Sequence, residues 1–450
     1  MKKIIAFGVL HFFVAAVLFG QGGSRPARLL SHIDLVYLRG LTRDVLDSSR
    51  IRPGQKVSDE FGSNHTGGTL IRPGGRATYP AFWIRDYAMS LASGFVTREE
   101  QWHMLQLTAA TQCSQSWVSR PGSLIPAGAI ADHIRIDDSK PVYFPGTYDP
   151  TDQGGRTWGM TPPYGDQFFF IHMAYYYGRT ARSVKFLSRE INGVRLIDRL
   201  EMAYCVPPTR QGGVLVYTTD DFRGVDFGFR DAIQITGDLC FPSLLKYRAS
   251  LEMARLMEMA GRKDKAATYR AVAHRLKKNI PEVFSDGRGM LLASSGKSKQ
   301  ADVWSTSLAI YLGVLDGDRM EKAARFLRDA YIDGSLAKKG NIRHVLTTDD
   351  FSSTTAWEVS LAAKDNYQNG AYWGTPVGWV CYALAKVDTA AAKRLAKEYV
   401  DNLRADDFRR GGDHGGPWEC YNAGWVRQNA LYLATVACPY IVFSNGAGRY

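Results

Sequence analysis

The feature that most constrains this chain is a recurring couplet, an all-round apolar helical pattern followed after a short break by an amphipathic one. Residues 239–261 place Leu245, Ala249, Met253, Leu256 and Ala260 at helical spacing with further apolar residues between them, so that helix is buried on much of its surface. Gly261 stops it and Asp264 opens the next, where Ala266, Tyr269, Ala273, Leu276 and Ile280 form one stripe while Lys265, Arg270, Arg275, Lys277 and Lys278 face away. The couplet returns at 302–314 with 318–332, at 376–386 with 389–403, and earlier at 83–95 with 98–113 and 166–178 with 183–193. A last apolar helix is expected over 424–437. A helix that is apolar on every side must be enclosed, and an amphipathic neighbour has one face to offer it. Such hairpins, recurring without clear sequence repeats, predict a closed helical toroid.

A toroid also absorbs the length. At 450 residues the chain exceeds the usual domain of roughly 100–200 residues, and residues 25–445 are expected to form one catalytic domain. The composition is that of an ordinary globular protein, 45% hydrophobic and 22% charged. The net charge of +12 comes from scattered Lys and Arg, which reads as a solvated basic exterior, although it would also suit acidic glycans. No basic-aromatic array, P-loop or dinucleotide fingerprint is present, so a nucleic-acid partner is not expected. Met1-Lys2-Lys3 followed by the apolar run Ile4 to Phe19 has the charged start and short hydrophobic stretch of a secretory signal over residues 1–22. That run is short for a membrane span, which needs roughly 20 residues. The expectation is export to the periplasm or medium with no other membrane association, an uncleaved anchor being the alternative. Six Cys without CxxC spacing read mostly as buried thiols, and nine His form no HxxxH pair. No metal or cofactor is called for, and the oligomeric state is not legible.

Between the helices run long Gly/Pro/aromatic segments at 53–82, 114–165, 205–235, 333–375 and 404–423, expected to gather on one face with a few short strands such as 213–217. Connections this long are uncommon unless functional. In the last, Gly415-Gly416-Pro417-Trp418-Glu419-Cys420-Tyr421-Asn422 sets a carboxylate beside a tryptophan. A carboxylate supplies acid/base power and an indole face stacks on a pyranose ring, so this pairing suits sugar cleavage.

Taken in order, the loop motifs resemble the signature regions of six-hairpin (α/α)6 glycoside hydrolases, in particular the trehalase and processing alpha-glucosidase group, over most of residues 70–437. Pro73-Gly74-Gly75-Arg76, then Tyr79 and Trp83-Ile84-Arg85-Asp86, is similar to the trehalase Pro-Gly-Gly-Arg signature running into a Trp-x-Arg-Asp element. The resemblance implies that Trp83, Arg85 and Asp86 help bind a terminal sugar. Gly224-Val225-Asp226-Phe227-Gly228-Phe229-Arg230-Asp231 resembles the segment holding the general acid. Asp226 takes that position and Arg230 a binding one, Val225 replaces the expected Trp, and Asp231 and Asp238 stand as rivals. Asn369-Gly370-Ala371-Tyr372-Trp373-Gly374-Thr375-Pro376 is similar to the Asn-Gly-x-Trp-x-Pro loop and implies that Asn369 and Trp373 meet substrate. Glu419, followed by Tyr421-Asn422 and Gly424-Trp425, resembles the Glu-x-Tyr element, which implies a general base with Trp418 and Tyr421 beside it. Trp158, Tyr164, Asp166 and Gln167 fall where another substrate loop is expected.

The fold class implied is all-α, an (α/α)6 toroid of six helical hairpins with long loops and a few β-hairpins on one face. The function implied is an exported, exo-acting glycoside hydrolase acting on an oligo- or polysaccharide with inversion, one carboxyl as acid and one as base. Two other readings fit part of the sequence. A polysaccharide lyase on a similar toroid would use the Arg-rich loops, but His133, His344 and His414 form no lyase-like arrangement. A non-catalytic glycan-binding protein would account for Val225.

Overall fold

The computed structural model describes residues 28–75, 79–226 and 228–445, so the segment read as a signal, Arg76 and Phe227 lie outside the described residues. Thirteen helices are present among them: α1 (His32–Ser49), α2 (Ile84–Ser90), α3 (Arg98–Ala110), α4 (Gly155–Trp158), α5 (Tyr164–Ala181), α6 (Leu196–Cys205), α7 (Cys240–Met259), α8 (Lys263–Phe284), α9 (Val303–Tyr311), α10 (Gly317–Ile332), α11 (Val377–Leu384), α12 (Thr389–Ala405) and α13 (Leu433–Asn445). None is long and apolar enough to cross a membrane.

The couplets sort as their patterns predict. Every residue of α9 is buried, whereas α8 buries one stripe of Ala266, Tyr269, Ala273, Leu276, Ile280 and Phe284 and leaves its Lys and Arg in water. The larger of these, Leu276, Ile280 and Phe284, each contribute roughly 1.5–3 kcal/mol when fully buried. Local chemistry sets the outer starts. Thr97 and Glu100 close a reciprocal capping box on α3, and Asp388 caps α12 by accepting from Ala391 N at 2.9 Å.

Six helices contact one another in succession: α2 on α5, α5 on α7, α7 on α9, α9 on α11, α11 on α13, and α13 back on α2. A cavity on their common axis is lined by Met89, Phe169, Leu245, Leu308, Trp379 and Ile441, one from each of the six. The remaining long helices pack outside, α8 on α7, α10 on α11 and α9, α12 on α11, α3 and α6 on α5, and α1 on α13. Helix α1, unforeseen in the sequence, is the amphipathic partner of the last apolar helix. It buries Leu38, Leu41, Val45 and Leu46.

Three expectations are corrected. The outer helix foreseen over 183–193 is instead a 3-10 turn (Lys185–Ser188) and a two-strand hairpin pairing Glu190–Ile191 with Val194–Arg195, with the helix following as α6. The cause is Asn192-Gly193, whose φ values of 50° and 75° are those of a tight hairpin turn rather than a helix. The inner helix foreseen over 424–437 begins only at Leu433, because 418–430 is a hairpin of Trp418–Tyr421 against Arg427–Ala430. The strand foreseen over 213–217 is confined to Tyr217–Thr218, paired with Gly237–Asp238.

All-α is therefore too narrow a description. The long segments pair their backbone groups in several small antiparallel sheets, the largest running through 337–338, 341–342, 372–373, 418–421 and 427–430. Loop backbone that is not helical still needs hydrogen-bond partners, and edge-to-edge pairing between loops supplies them. Strands 81–83, 372–373 and 418–430 lead directly into α2, α11 and α13, and so set what those helices present at their N-terminal ends. All six Cys are free thiols, five of them buried.

Candidate functional site

The site is built where loops enter the inner helices. Trp83 is the N-cap of α2, so Arg85 and Asp86 fall in its first turn. Pro163 plays the same part for α5 and puts Asp166 in the first turn. Carboxylates are favoured there because the unpaired N–H groups of a helix start carry positive partial charge. Strand 418–421 supplies Glu419 from the opposite side of the chain.

Glu419 is buried, and three donors converge on it. Tyr79 Oη donates to its Oε2 at 2.5 Å, Tyr367 Oη to Oε1 at 3.3 Å, and Asn429 Nδ2 to Oε2. Asn429 also donates to Tyr79 Oη at 3.0 Å, fixing the tyrosine. Burial pushes the Glu419 carboxyl up to about 7; the Asn429 and Tyr79 hydrogen bonds oppose the rise and the nearby Asp86 and Asp231 reinforce it. Burial and the Glu419 carboxylate hold the Tyr79 and Tyr367 hydroxyls well above the usual range, so both remain donors.

Two further carboxyls face this one. Asp86 accepts from Tyr432 Oη at 2.5 Å and is lifted by burial to about 6 against the pull of Arg85. Asp231 accepts from Gln368 Nε2 and is likewise lifted by burial to about 6, with Arg85 opposing and Asp132 reinforcing. Among the described residues Glu419 and Asp231 share no hydrogen bond, and each has its own donors.

Arg85 is the cation at the centre. It donates to Asp132 through both terminal nitrogens, one at 2.8 Å, and lies 3.8 Å from Asp166. Burial pushes Asp132 up, but Arg85 and His133 outweigh it and hold this carboxyl below its usual value. Asp166 is pushed well above its usual value by burial, with Arg85 opposing, and neither of its oxygens accepts a hydrogen bond among the described residues. His133 bonds Asp132 through Nδ1 at 2.7 Å and stacks on Trp83 with centroids 4.6 Å apart. The result is a ring face beside a group of carboxyls, some charged and some retaining protons, which is suited to gripping hydroxyls and exchanging protons with them.

The structure therefore brings Trp83, Arg85, Asp86, Asp166, Asp231 and Glu419 together. Other foreseen residues serve elsewhere. Asp226 is ion-paired with Arg230 at 2.8 Å, and Arg230 reaches Asp302 at 2.8 Å, all three buried. Asp238 pairs with Arg210 at 3.0 Å. Gln167 is fully buried, accepting from Ile130 N at 2.9 Å and donating to Pro163 O. Asn369 knits its loop by accepting from Ala356 N at 2.7 Å. Trp373 is buried among Phe229, Trp304 and Tyr367. Trp158 lies over Gly146, where an added Cβ would collide with its ring. Trp418 donates to Asp406, and Tyr421 stacks on Trp425 at 4.3 Å.

Sequence reasoning missed Asp132, His133, Tyr367, Gln368, Asn429 and Tyr432. None sits in a spaced motif. Tyr79 and the Asn369 loop were in view, but only the fold turns Tyr79 and Tyr367 toward Glu419.

No protein-family model matches the sequence, and no curated protein does. Solved structures do resemble it. Glucoamylase from Saccharomycopsis fibuligera superposes with a TM-score of 0.59 at 11% identity, over 91% of this chain and 94% of that one. A GH63 mannosylglycerate hydrolase from Thermus thermophilus gives 0.55 at 14% identity, over 90% and 99%. A GH78 rhamnosidase of Bacillus sp. GL1 gives 0.54 at 13% identity; 92% of this chain aligns, spanning only 35% of that protein. At such identities the likeness is one of fold alone, the helical fold that these three glycoside hydrolases share with this chain.

Proposed function

We propose that this chain is an exported, exo-acting glycoside hydrolase on an (α/α)6 toroid, releasing terminal sugars from an oligo- or polysaccharide with inversion. The ring of six inner helices around one axis supports the toroid. The observation that carries the activity is the electrostatic grouping of Glu419, Asp86 and Asp231, three carboxyls from distant segments with raised proton affinity, Asp86 and Asp231 raising that of Glu419 and Asp132 raising that of both aspartates. Ion-pair architecture would neutralise such groups one by one. Here a single guanidinium, that of Arg85, is shared among several of them.

Glu419 is the general base and Asp231 the general acid. Inversion needs a proton on the leaving-oxygen side and a carboxylate that holds water on the other, roughly 6.5–9.5 Å away. With Glu419 near 7 and Asp231 near 6 and the two coupled, the pair carries about one proton close to neutrality. The resting proton therefore sits mainly on Glu419, and these roles require it to pass to Asp231 as substrate binds; three donors on Glu419, against one on Asp231, stabilise the Glu419 carboxylate that this leaves. Glu419 then takes a proton from water, the hydroxide adds to the anomeric carbon, and Asp231 protonates the departing oxygen. Asp226, ion-paired with Arg230, is a poorer proton donor because the guanidinium favours its charged form. Arg85, Asp86 and Asp166 grip the sugar hydroxyls, with Trp83 and His133 as the ring platform.

The test is a panel of α- and β-linked disaccharides and oligosaccharides, with product anomers followed by NMR. Glu419→Gln and Asp231→Asn should each lower kcat by roughly 10²–10⁴-fold, and the fresh product should have the opposite anomeric configuration to the substrate. Turnover by Glu419→Gln at the wild-type rate would sink the reading, and a product with new ultraviolet absorbance would indicate a lyase.

A further inference from the structure

One loop touches both proposed reacting carboxyls. Residues 365–371 present Tyr367, which donates to Glu419 Oε1 at 3.3 Å, and the adjacent Gln368, which donates to Asp231 Oδ1. Gln368 is held in turn, since its Oε1 accepts from Ala232 N at 2.6 Å and its carbonyl accepts from Trp357 Nε1 at 2.9 Å. The backbone that presents these two side chains is sharply folded. Asp365 and Tyr367 have φ values of 64° and 45°, and Gly370 has 108°. Non-glycine residues in that region cost of order 1–3 kcal/mol each and persist only where the surroundings over-determine them.

Arg343 is what over-determines this loop. Its guanidinium is buried, 2% exposed. It donates from Nη2 to Asp365 Oδ1 at 2.9 Å and from Nε to Gly370 O at 2.7 Å, so it holds both ends of the fold-back at once. Nη1 is anchored on the other side by Asp350 Oδ1 at 3.1 Å and Val345 O at 3.3 Å. The fit leaves no slack, since a Cβ on Gly370 would collide with Nη2. Arg343 itself touches neither Glu419 nor Asp231.

We propose that Arg343 is a positioning residue for the hydrolysis, holding loop 365–371 so that one rigid turn delivers a donor to the base and a donor to the acid together. The inference rests on the reading of Glu419 and Asp231 as the reacting pair. Glu419 also faces Tyr79, Asn429, Tyr432 and Asp86, and Asp231 also faces Arg85, Asp132 and Asp166, so the loop adjusts a field that others set. Both donors favour the charged carboxyls. Releasing them raises the titration midpoints of both groups in the same direction.

The experiment replaces the fork by a point charge. Arg343→Lys keeps the cation but cannot reach Asp365 and Gly370 together. Glu419 and Asp231 are followed by ¹³C-carboxyl NMR titration, assigned by the resonances lost in Glu419→Gln and Asp231→Asn, so the readout needs no substrate. Expected are upward shifts of both midpoints by roughly half to one pH unit, with kcat lowered at least tenfold on the glycoside the panel identifies and KM changed by less than about threefold. Tyr367→Phe should move only the Glu419 midpoint and Gln368→Met only that of Asp231. Should Arg343→Lys fail to fold, Asp365→Ala removes one anchor at an exposed side chain and carries the same expectation. Midpoints unmoved in a folded variant, or lower kcat with an unshifted pH profile, would overturn the proposal and leave Arg343 a purely structural residue. Full hydrolysis by Glu419→Gln would instead remove the reading beneath it, and the two failures are distinct.

Discussion

Asp226 and Asp231 stand five positions apart and have opposite surroundings. Asp226 meets Arg230, which a second carboxylate, Asp302, also engages, so the three belong to one buried ion network. Asp231 meets an amide and the fields of other carboxyls, and burial keeps its proton affinity high. Removing one member of a buried ion pair leaves its partner uncompensated and costs about 3–5 kcal/mol. Asp226→Asn should therefore lower stability by that order, seen as a shift in the denaturation midpoint, while Asp231→Asn should leave stability within about 1 kcal/mol near pH 4, raise it at neutral pH because the aspartate there has lost its proton, and remove turnover. An Asp226→Asn protein that is fully stable but inactive would reverse the two roles. The local spacing Gly-Val-Asp-Phe-Gly-Phe-Arg draws attention to Asp226 because motif arithmetic sees only neighbours. Asp302 lies 72 residues from Arg230, and nothing in the segment announces it. Glu419 was legible because its flanking Trp and Tyr are local. Its true partners, Tyr79 and Asn429, were not, since their convergence is tertiary.

At the level of elements, periodicity made the helices legible where one face or all faces are apolar, and failed where a turn intervenes. Asn192-Gly193 is a short-range hairpin signal that overrides a helical pattern, and the hairpin at 418–430 delays α13 to Leu433. Which inner helices touch, and how closely, is a matter of small residues that a pattern reading passes over. Gly378 in α11 is such a residue. A Cβ there would lie 2.9 Å from Val442 Cβ and 3.0 Å from Pro439 Cα, both in α13. The neighbours are the body of one helix, not the tip of a flexible chain, so the helices must separate to admit a methyl group. Gly378→Ala should cost about 1–3 kcal/mol as overpacking, despite the better helix propensity of Ala. Because α11 follows on the strand bearing Trp373 and α13 on the hairpin bearing Glu419, the same variant should lower kcat by more than it raises KM. Urea denaturation and steady-state kinetics check both, and an equally or more stable Gly378→Ala protein would show that the contact is slack.

For the whole molecule the charge distribution is inverted between surface and centre. The chain carries a net +12, yet the site gathers Asp86, Asp132, Asp166, Asp231 and Glu419 around Arg85. Folding must either desolvate those charges or keep protons on them, and the raised Glu419, Asp86 and Asp231 carboxyls hold protons to a higher pH than they would in the unfolded chain. The sign of the consequence follows from linkage. Glu419 titrates near 7 when folded against an ordinary 4.5, so between those values the folded state binds a proton that the unfolded state has released. Stability from this group is fully present below about pH 4.5 and declines as pH rises through 7, by roughly 3 kcal/mol in all. Asp86 and Asp231 act in the same sense between 3.8 and about 6. Glu419→Gln replaces the group by one that never ionises. Its amide oxygen can still accept from Tyr79 and Asn429, and its amide nitrogen can donate to the Tyr367 hydroxyl. The variant should therefore match the wild type near pH 5 and exceed it near pH 8, by an amount approaching those roughly 3 kcal/mol, in urea denaturation at the two pH values. A stability difference independent of pH would mean that Glu419 is charged throughout in the folded protein. An inactive variant more stable than the active protein, and only at alkaline pH, is what a reacting carboxyl held against its own solvation requires.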